Sequence, residues 1–299
     1  MTKVVKMTNR EILENATKRL DKAGIAEAGN DAWLIFSEAF GMTRTDYLID
    51  KNAECNAGHI PFFDSCIEKR LAHIPVQYIL GKAYFMGYEF EVNNNVLIPR
   101  FDTEVLVSEV LKYTQDDFKI LDMCTGSGCI AISLSLLSGA EVTGVDISEK
   151  ALAVADYNKV INKADKVTFV KSNMFENIDG AFNLIVSNPP YIPTKDIFEL
   201  EHEVKNEEPM LALDGHDDGL FFYRILAEES AKYLRHNGGI FMEIGYNQAA
   251  AYRDCQLDRR RPAYGLWLCV PDHLYRDGCG VLPVPSRRLA AVCLGLLCP

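Results

Sequence analysis

No stretch of the 299-residue chain is apolar for long enough to span a bilayer. Met1 leads into Lys3, Lys6 and Arg10 with no hydrophobic run behind them, so no signal peptide is read and a cytoplasmic protein is expected. The chain is also short of cations: 31 Lys and Arg stand against 42 Asp and Glu, a formal net charge of −11. A protein that follows a phosphate backbone over a long footprint normally carries a basic face, so direct nucleic-acid binding is not expected. No Cys-x-x-Cys pair occurs among the nine cysteines, and Cys55, Cys66, Cys124 and Cys129 are scattered through the body of the chain. That pattern reads as free, mostly buried thiols in a reducing compartment, with no metal site. Hydrophobic content of 48% and charged content of 24% are ordinary for a globular protein. The length suits a main domain accompanied by a smaller one.

Beyond Gln248 the composition changes. The last segment, residues 249–299, has seven Arg and four Asp but no Lys and no Glu, and it holds Cys255, Cys269, Cys279, Cys293 and Cys298. The preceding residues are rich in Lys and Glu and strongly acidic. The expectation is that 249–299 is an aberrant C-terminal segment, an out-of-frame or otherwise altered reading, and no functional residue is sought in it.

Thr8 and Glu11 form a capping-box pattern opening a helix, with Ile12, Leu13, Ala16 and Leu20 on one face and Gly24 as its stop. Further helices are read from Asn30 to Gly41 and from Pro61 to His73, the latter with Pro at a permitted first-turn position. Residues 1–74 thus read as a small helical domain in which nothing looks catalytic. Residues 75–100 are punctuated by Pro75, Gly81 and Gly87, with Tyr88, Phe90 and Val92 alternating as on a strand, and read as a β-hairpin linker. From 101 to 248 strands and helices alternate: strands at 119–124, 141–147, 167–171, 182–187 and 239–245, helices at 129–138, 148–162 and 220–235. The expected fold is α/β, a Rossmann-like, mainly parallel sheet with helices on both faces, and ligands in such sheets sit at the carboxyl ends of the strands.

Two motifs fall at those ends. The first, Asp122-Met-Cys-Thr-Gly126-Ser-Gly128-Cys-Ile-Ala131, closes a strand and opens a helix. Gly126 and Gly128 permit a sharp turn and close approach of a ligand, and Asp146, ending the next strand, can accept hydrogen bonds from ribose hydroxyls. Both NAD and S-adenosylmethionine carry such a ribose. Asp122 favours the second, because it would attract a cationic methionine end and repel a pyrophosphate. The second motif is Ser187-Asn188-Pro189-Pro190-Tyr191. Two prolines remove two backbone donors and leave their carbonyls, so the segment is rich in acceptors. A planar NH₂ can donate to the Asn188 side chain and to the Pro189 carbonyl while Tyr191 packs over its face. Such a clamp turns a delocalised lone pair toward a methyl carbon, and positioning of this kind is worth roughly 7–11 kcal/mol in favourable cases.

Asp-x-x-Thr-Gly-Ser-Gly at 122–128, Asp146 and Asn-Pro-Pro-Tyr at 188–191 together resemble the amino-methyltransferase pattern. Ile98-Pro-Arg-Phe-Asp-Thr-Glu104 resembles the Pro-Arg-Pro-Asp-Thr-Glu signature of the release factor glutamine-N(5) methyltransferases, the HemK/PrmC family. Glu208-Pro-Met-Leu-Ala-Leu-Asp-Gly215 and Glu243-Ile-Gly-Tyr-Asn-Gln248 are similar to that family too, as is the order of helical domain, hairpin and catalytic domain. The likeness covers residues 8–248. It implies a class I methyltransferase fold, S-adenosylmethionine as methyl donor with S-adenosylhomocysteine as product, and as substrate the Gly-Gly-Gln glutamine of peptide chain release factors. It implies that the helical domain, residues 1–74, helps dock that substrate. It places Cys124, Thr125, Gly126, Ser127 and Gly128 along the methionine part of the cofactor, Asp146 at its ribose, Asn173 and Met174 at its adenine and Thr103 nearby, with Asn188, Pro189, Pro190 and Tyr191 holding the glutamine amide. Phe101 stands where the family has proline and His216 where it has glycine, and a helix and two closing strands are implied beyond Gln248. The main rival is an adenine or cytosine amino-methyltransferase acting on DNA or RNA through the same Asn188 chemistry. An NAD-dependent oxidoreductase leaves Asn-Pro-Pro-Tyr without a task, and the odd tail admits a non-catalytic relic of the fold.

Overall fold

A computed structural model describes residues 7–245, 248 and 291–295. The chain divides into two units, Met1–Lys82 with His202–Glu207, and Ala83–Glu201 with Glu208–Pro299. The segment after Gln248 lies outside the described residues apart from Ala291–Gly295.

The first unit is helical: α1 (Asn9–Lys22), α2 (Ala28–Phe40), α3 (Arg44–Asp50), α4 (Ile60–Leu71) and α5 (Val76–Leu80). Thr8 caps α1 reciprocally with Glu11, satisfying two otherwise unpaired donors. Thr43 and Asp46 do the same for α3, a helix the apolar periodicity does not announce because none of its residues is buried. Ile12, Ala16 and Leu20 of α1 pack with Trp33, Ile35 and Phe36 of α2 and Phe63 and Ile67 of α4. The short helix His202–Glu207, which we number α10, belongs to this unit, where Glu203 and Asp31 both pair with the buried Arg70 at 2.6 and 2.7 Å. Two carboxylates on one guanidinium leave no buried charge unpaired, the condition under which such burial is tolerated.

The two-stranded sheet of β1 (Lys82–Phe85) and β2 (Tyr88–Glu91) comes next, all but Lys82 in the second unit. Then follow α6 (Phe101–Leu111), β3 (Lys119–Met123), α7 (Cys129–Ser138), β4 (Glu141–Asp146), α8 (Glu149–Ile161), β5 (Val167–Lys171) and β6 (Phe182–Ser187). After the short helices α9 (Thr194–Ile197) and α11 (Met210–Leu213) come α12 (Phe221–Glu229) and β7 (Leu234–Ile244), with β8 (Ala291–Gly295) on the edge. The large sheet has the order β5-β4-β3-β6-β7-β8, parallel except where β8 runs against β7. Alternation along the strands covers both faces: Ile120, Leu184 and Val186 join α6 and α7 in one cluster, while Leu121, Met123 and Ile185 join α12 in the other. The helix expected over 220–235 ends at Glu229, because Leu234 already pairs with Phe182 as the first residue of β7. Cys55, Cys66 and Cys129 are free and buried, and Cys124 is half-buried. Among the described residues no helix is long and apolar enough to cross a membrane.

Candidate active site

From β3 the chain winds outward through β4 to β5 and returns to the other flank of β3 as β6. The connections leaving β3 and β6 therefore depart in opposite directions, and a crevice opens between their carboxyl ends. A cavity of about 430 Å³ lies there. Its wall is made at the ends of successive strands: Cys124–Ser127 after β3, Asp146 at the end of β4 with Ile147 and Ser148 beyond it, Ser172–Met174 after β5, and Asn188 and Pro190 after β6. Thr103 of α6 completes it. The topology thus brings Thr103, Cys124, Thr125, Gly126, Ser127, Asp146, Asn173, Met174, Asn188 and Pro190 to one cavity.

The glycine turn is held by its own backbone. Thr125 N–H donates to the Val145 carbonyl at 2.8 Å, and Gly128 N–H to the Thr125 carbonyl at 2.8 Å. Asp146 accepts from Gly126 N–H through Oδ2 and from Ser148 N–H through Oδ1, both at 2.9 Å. It therefore links the turn to the start of α8, and each oxygen keeps a lone pair for a ligand. Burial raises its pKa, and the Ser148 and Gly126 amides act against that rise.

Four of the expected site residues do not line the cavity. Asp122 is sealed beneath the turn, fully buried, where Oδ2 accepts from the Thr125 hydroxyl and the Ala131 N–H. Its Oδ1 has no partner, and burial pushes its pKa up to about 7. At Gly128 a Cβ would lie 2.8 Å from the Phe169 ring and 3.1 Å from Ala155, whereas one on Gly126 would meet nothing within 4 Å. Pro189 is buried, which leaves its carbonyl as the group it can offer. Tyr191 packs among Tyr223, Ile244 and their neighbours, and its hydroxyl lies 3.3 Å from Glu243 Oε1, so its ring is tied to the sheet instead of standing on the cavity wall.

Asn188 sits half-buried one residue past β6, whose last residue Ser187 donates to the Met123 carbonyl at 2.8 Å and so fixes the strand end. Its Nδ2 donates to Thr103 Oγ1 at 3.1 Å, and Thr103 donates to Glu243 Oε2 at 2.7 Å. Glu243 is 1% exposed, and burial pushes its pKa up to about 7 against the pull of Thr103. The sequence reading gave Glu243 no role at the site, although an acid inside the apolar run Phe241-Met-Glu-Ile is the kind of buried charge that signals a task. The ion pair of Arg100 with the buried Glu208 also went unread, as did a wall of His216, Phe221 and Phe222, with the His216 ring 4.3 Å from Phe221. Cys124, Met174 and His216, all lining the cavity, hold left-handed backbone at φ 63°, 48° and 65°. Such conformations cost free energy and collect at functional sites.

Comparison with known proteins finds methyltransferases. The family model of the PrmC N-terminal domain matches residues 11–81, and that of the methyltransferase small domain matches residues 100–208. A release factor glutamine methyltransferase of Thermodesulfovibrio yellowstonii is 41% identical over 216 residues, covering 70% of this chain and 77% of its own. A bifunctional methyltransferase of Rickettsia prowazekii is 37% identical over 291 residues and covers 90% of this chain, while this chain spans 55% of that protein, about half its length. Among solved structures, the hMettl16 catalytic domain in complex with MAT2A 3'UTR hairpin 6 aligns with a TM-score of 0.53 at 14% identity, covering 81% of this chain and 82% of that one, a likeness of fold alone.

Proposed function

Because the chain belongs to the release factor glutamine methyltransferase family, we propose that it methylates the side-chain amide nitrogen of the glutamine in the Gly-Gly-Gln motif of peptide chain release factors. The family and the fold imply S-adenosylmethionine as the methyl donor. The residues present suit that group. Gly126 leaves open space beside Asp146, whose two oxygens can each accept from a ribose hydroxyl. When bound, S-adenosylmethionine supplies a methyl carbon made electrophilic by a sulfonium. The chain's own residues position the acceptor: Asn188 Oδ1 and the Pro189 carbonyl take the two N–H groups of the amide, and Pro190 keeps the segment stiff. The helical unit, matched by the PrmC N-terminal domain, contributes to docking the release factor.

The observation that carries this reading is that Asn188, Gly126 and Asp146 line one cavity at the carboxyl ends of three parallel strands. Purified protein with labelled cofactor is expected to label an intact release factor on one glutamine, located by mass mapping. Label on the exocyclic amino groups of DNA or RNA oligonucleotides in place of the release factor would remove the proposal.

Asp146→Ala tests the cofactor half. It deletes two ligand acceptors and releases the Gly126 and Ser148 amides, so cofactor binding should weaken by about 1.5–3 kcal/mol, the range for hydrogen bonds to charged groups. Calorimetric titration measures it, and an unaltered isotherm would refute the ribose role.

A further inference from the structure

We infer that Glu243 is a positioning residue for the proposed transfer: through Thr103 it fixes the side-chain amide of Asn188 so that the oxygen, and not the nitrogen, is left for the acceptor. The inference rests on the amide-methylating reading above. It starts from a limit on hydrogen-bond chemistry. An ionised carboxylate only accepts, a hydroxyl has one hydrogen to give, and the two ends of an asparagine amide differ as donor and acceptor. Thr103 Oγ1 lies 2.7 Å from Glu243 Oε2, so its hydrogen is committed there. What remains on Thr103 is lone pairs, which receive Asn188 Nδ2 at 3.1 Å. The direction of the whole chain follows while Glu243 is ionised, the form that the hydrogen bonds from Thr103, Tyr191 and Asn188 favour against burial, and Oδ1 of Asn188 is thereby released.

The same carboxylate also governs the far end of the segment, since its other oxygen takes the Tyr191 hydroxyl at 3.3 Å. Three elements meet at this group: Thr103 on α6, Asn188 and Tyr191 beyond β6, and Glu243 on β7. Ser187 pairs with Met242 across the parallel ladder, so Glu243 and Asn188 follow paired residues at the ends of adjacent strands. Tyr223, on α12, donates to the Glu243 carbonyl at 2.8 Å and holds that residue's backbone. A carboxylate this deeply buried is costly unless hydrogen-bonded, and here its bonds converge on the clamp. Were the last member of the chain a donor, Thr103 could turn its hydrogen toward Asn188. The amide would then flip and present NH₂ to an NH₂.

Glu243→Gln removes the charge at constant shape and sets an NH₂ opposite Thr103 or Tyr191, and Thr103→Val cuts the chain isosterically. Three rates of methyl transfer to an intact release factor under single turnover are compared with wild type: each variant and the double variant, with cofactor affinity measured alongside. Each single variant is expected to lose about 10- to 100-fold in rate while cofactor affinity stays within about threefold, and the double variant should be no worse than the worse single, because both break one chain. Retained cofactor binding reports a folded site. If Glu243→Gln does not fold, Thr103→Val alone decides by the same split between rate and affinity. A wild type that binds cofactor yet labels no release factor overturns the proposed function and this inference with it. A wild type that transfers while either variant keeps its rate overturns the inference alone, as do losses that multiply in the double variant.

Discussion

Replacing Asn188 with alanine is expected to slow methyl transfer about 100- to 1,000-fold, the scale on which a single preorganised hydrogen-bonding group acts at a reaction centre. The reason is geometric. An acceptor amide has two N–H bonds in one plane, and its nitrogen can meet the methyl carbon only when that plane is fixed. Asn188 supplies one of the two acceptors, and the position of its side chain is set from behind by Thr103. The backbone beside it is held by Ser187, which donates to the Met123 carbonyl at 2.8 Å. Without the side chain one N–H is left unpaired in a crevice, and the plane turns freely about the remaining bond. Cofactor affinity should change less than about threefold, since Asp146 and the glycine turn are untouched and a lost contact specific to the reacting geometry appears in kcat rather than in binding. Transfer to an intact release factor, together with a cofactor titration, reads both. A rate within an order of magnitude of wild type would defeat the amide clamp.

Much of the sheet was legible because its signal is local. Val167–Lys171 and Phe182–Ser187 are short runs of apolar and β-branched residues between polar stretches, and the strands occupy those residues. The Thr8 and Glu11 pair located α1 by the same chemistry that the structure displays. Thr43 and Asp46 carry that chemistry for α3 and show that an exposed helix can be found from its cap when its faces give no period. Other features were illegible for a physical reason. Thr103 and Glu243 are 140 residues apart, and Tyr191 and Glu243 are 52 apart, so their meeting is a property of strand order and not of spacing. The difference between Gly126 and Gly128 was hidden in the same way: both read as turn glycines, but what fills the space around each is decided by Phe169 on β5 and Ala155 on α8. Asp122 was placed near the cofactor by its position before the loop, yet on a strand buried on both faces an inward-pointing side chain ends beneath the turn. His216 stands where the resembled family has glycine, and its φ of 65° shows why glycine suits that position.

Gly219→Ala is expected to destabilise the protein by about 2–5 kcal/mol, a large part of a total stability of roughly 5–15 kcal/mol. Two costs combine. At φ 75° an L-residue in the left-handed region pays about 1–2 kcal/mol. The added Cβ would also lie 2.3 Å from the Tyr191 carbonyl oxygen and 2.4 Å from Gln248 Nε2, and forcing atoms into a filled site costs about 1–3 kcal/mol more. Neither neighbour can yield cheaply. Gln248 Nε2 donates to the Tyr191 carbonyl at 2.7 Å and to the Gly219 carbonyl at 3.3 Å, so moving it breaks the bonds that close this corner. The Tyr191 carbonyl belongs to the backbone of the Asn-Pro-Pro-Tyr segment, whose next residue, Ile192, is bonded on both sides of Asp214, to the Leu213 carbonyl and from the Gly215 N–H. The strain therefore passes into the clamp. The melting temperature should fall by roughly 4–20 °C, at 2–4 °C per kcal/mol for a unit of this size. Protein that remains folded at low temperature should bind cofactor through Asp146 but transfer methyl slowly, because Tyr191 and Asn188 share the displaced backbone. A melting temperature unchanged by the substitution would mean that the loop carrying Gly219 gives way without loading the segment, and that it does not hold the clamp in place.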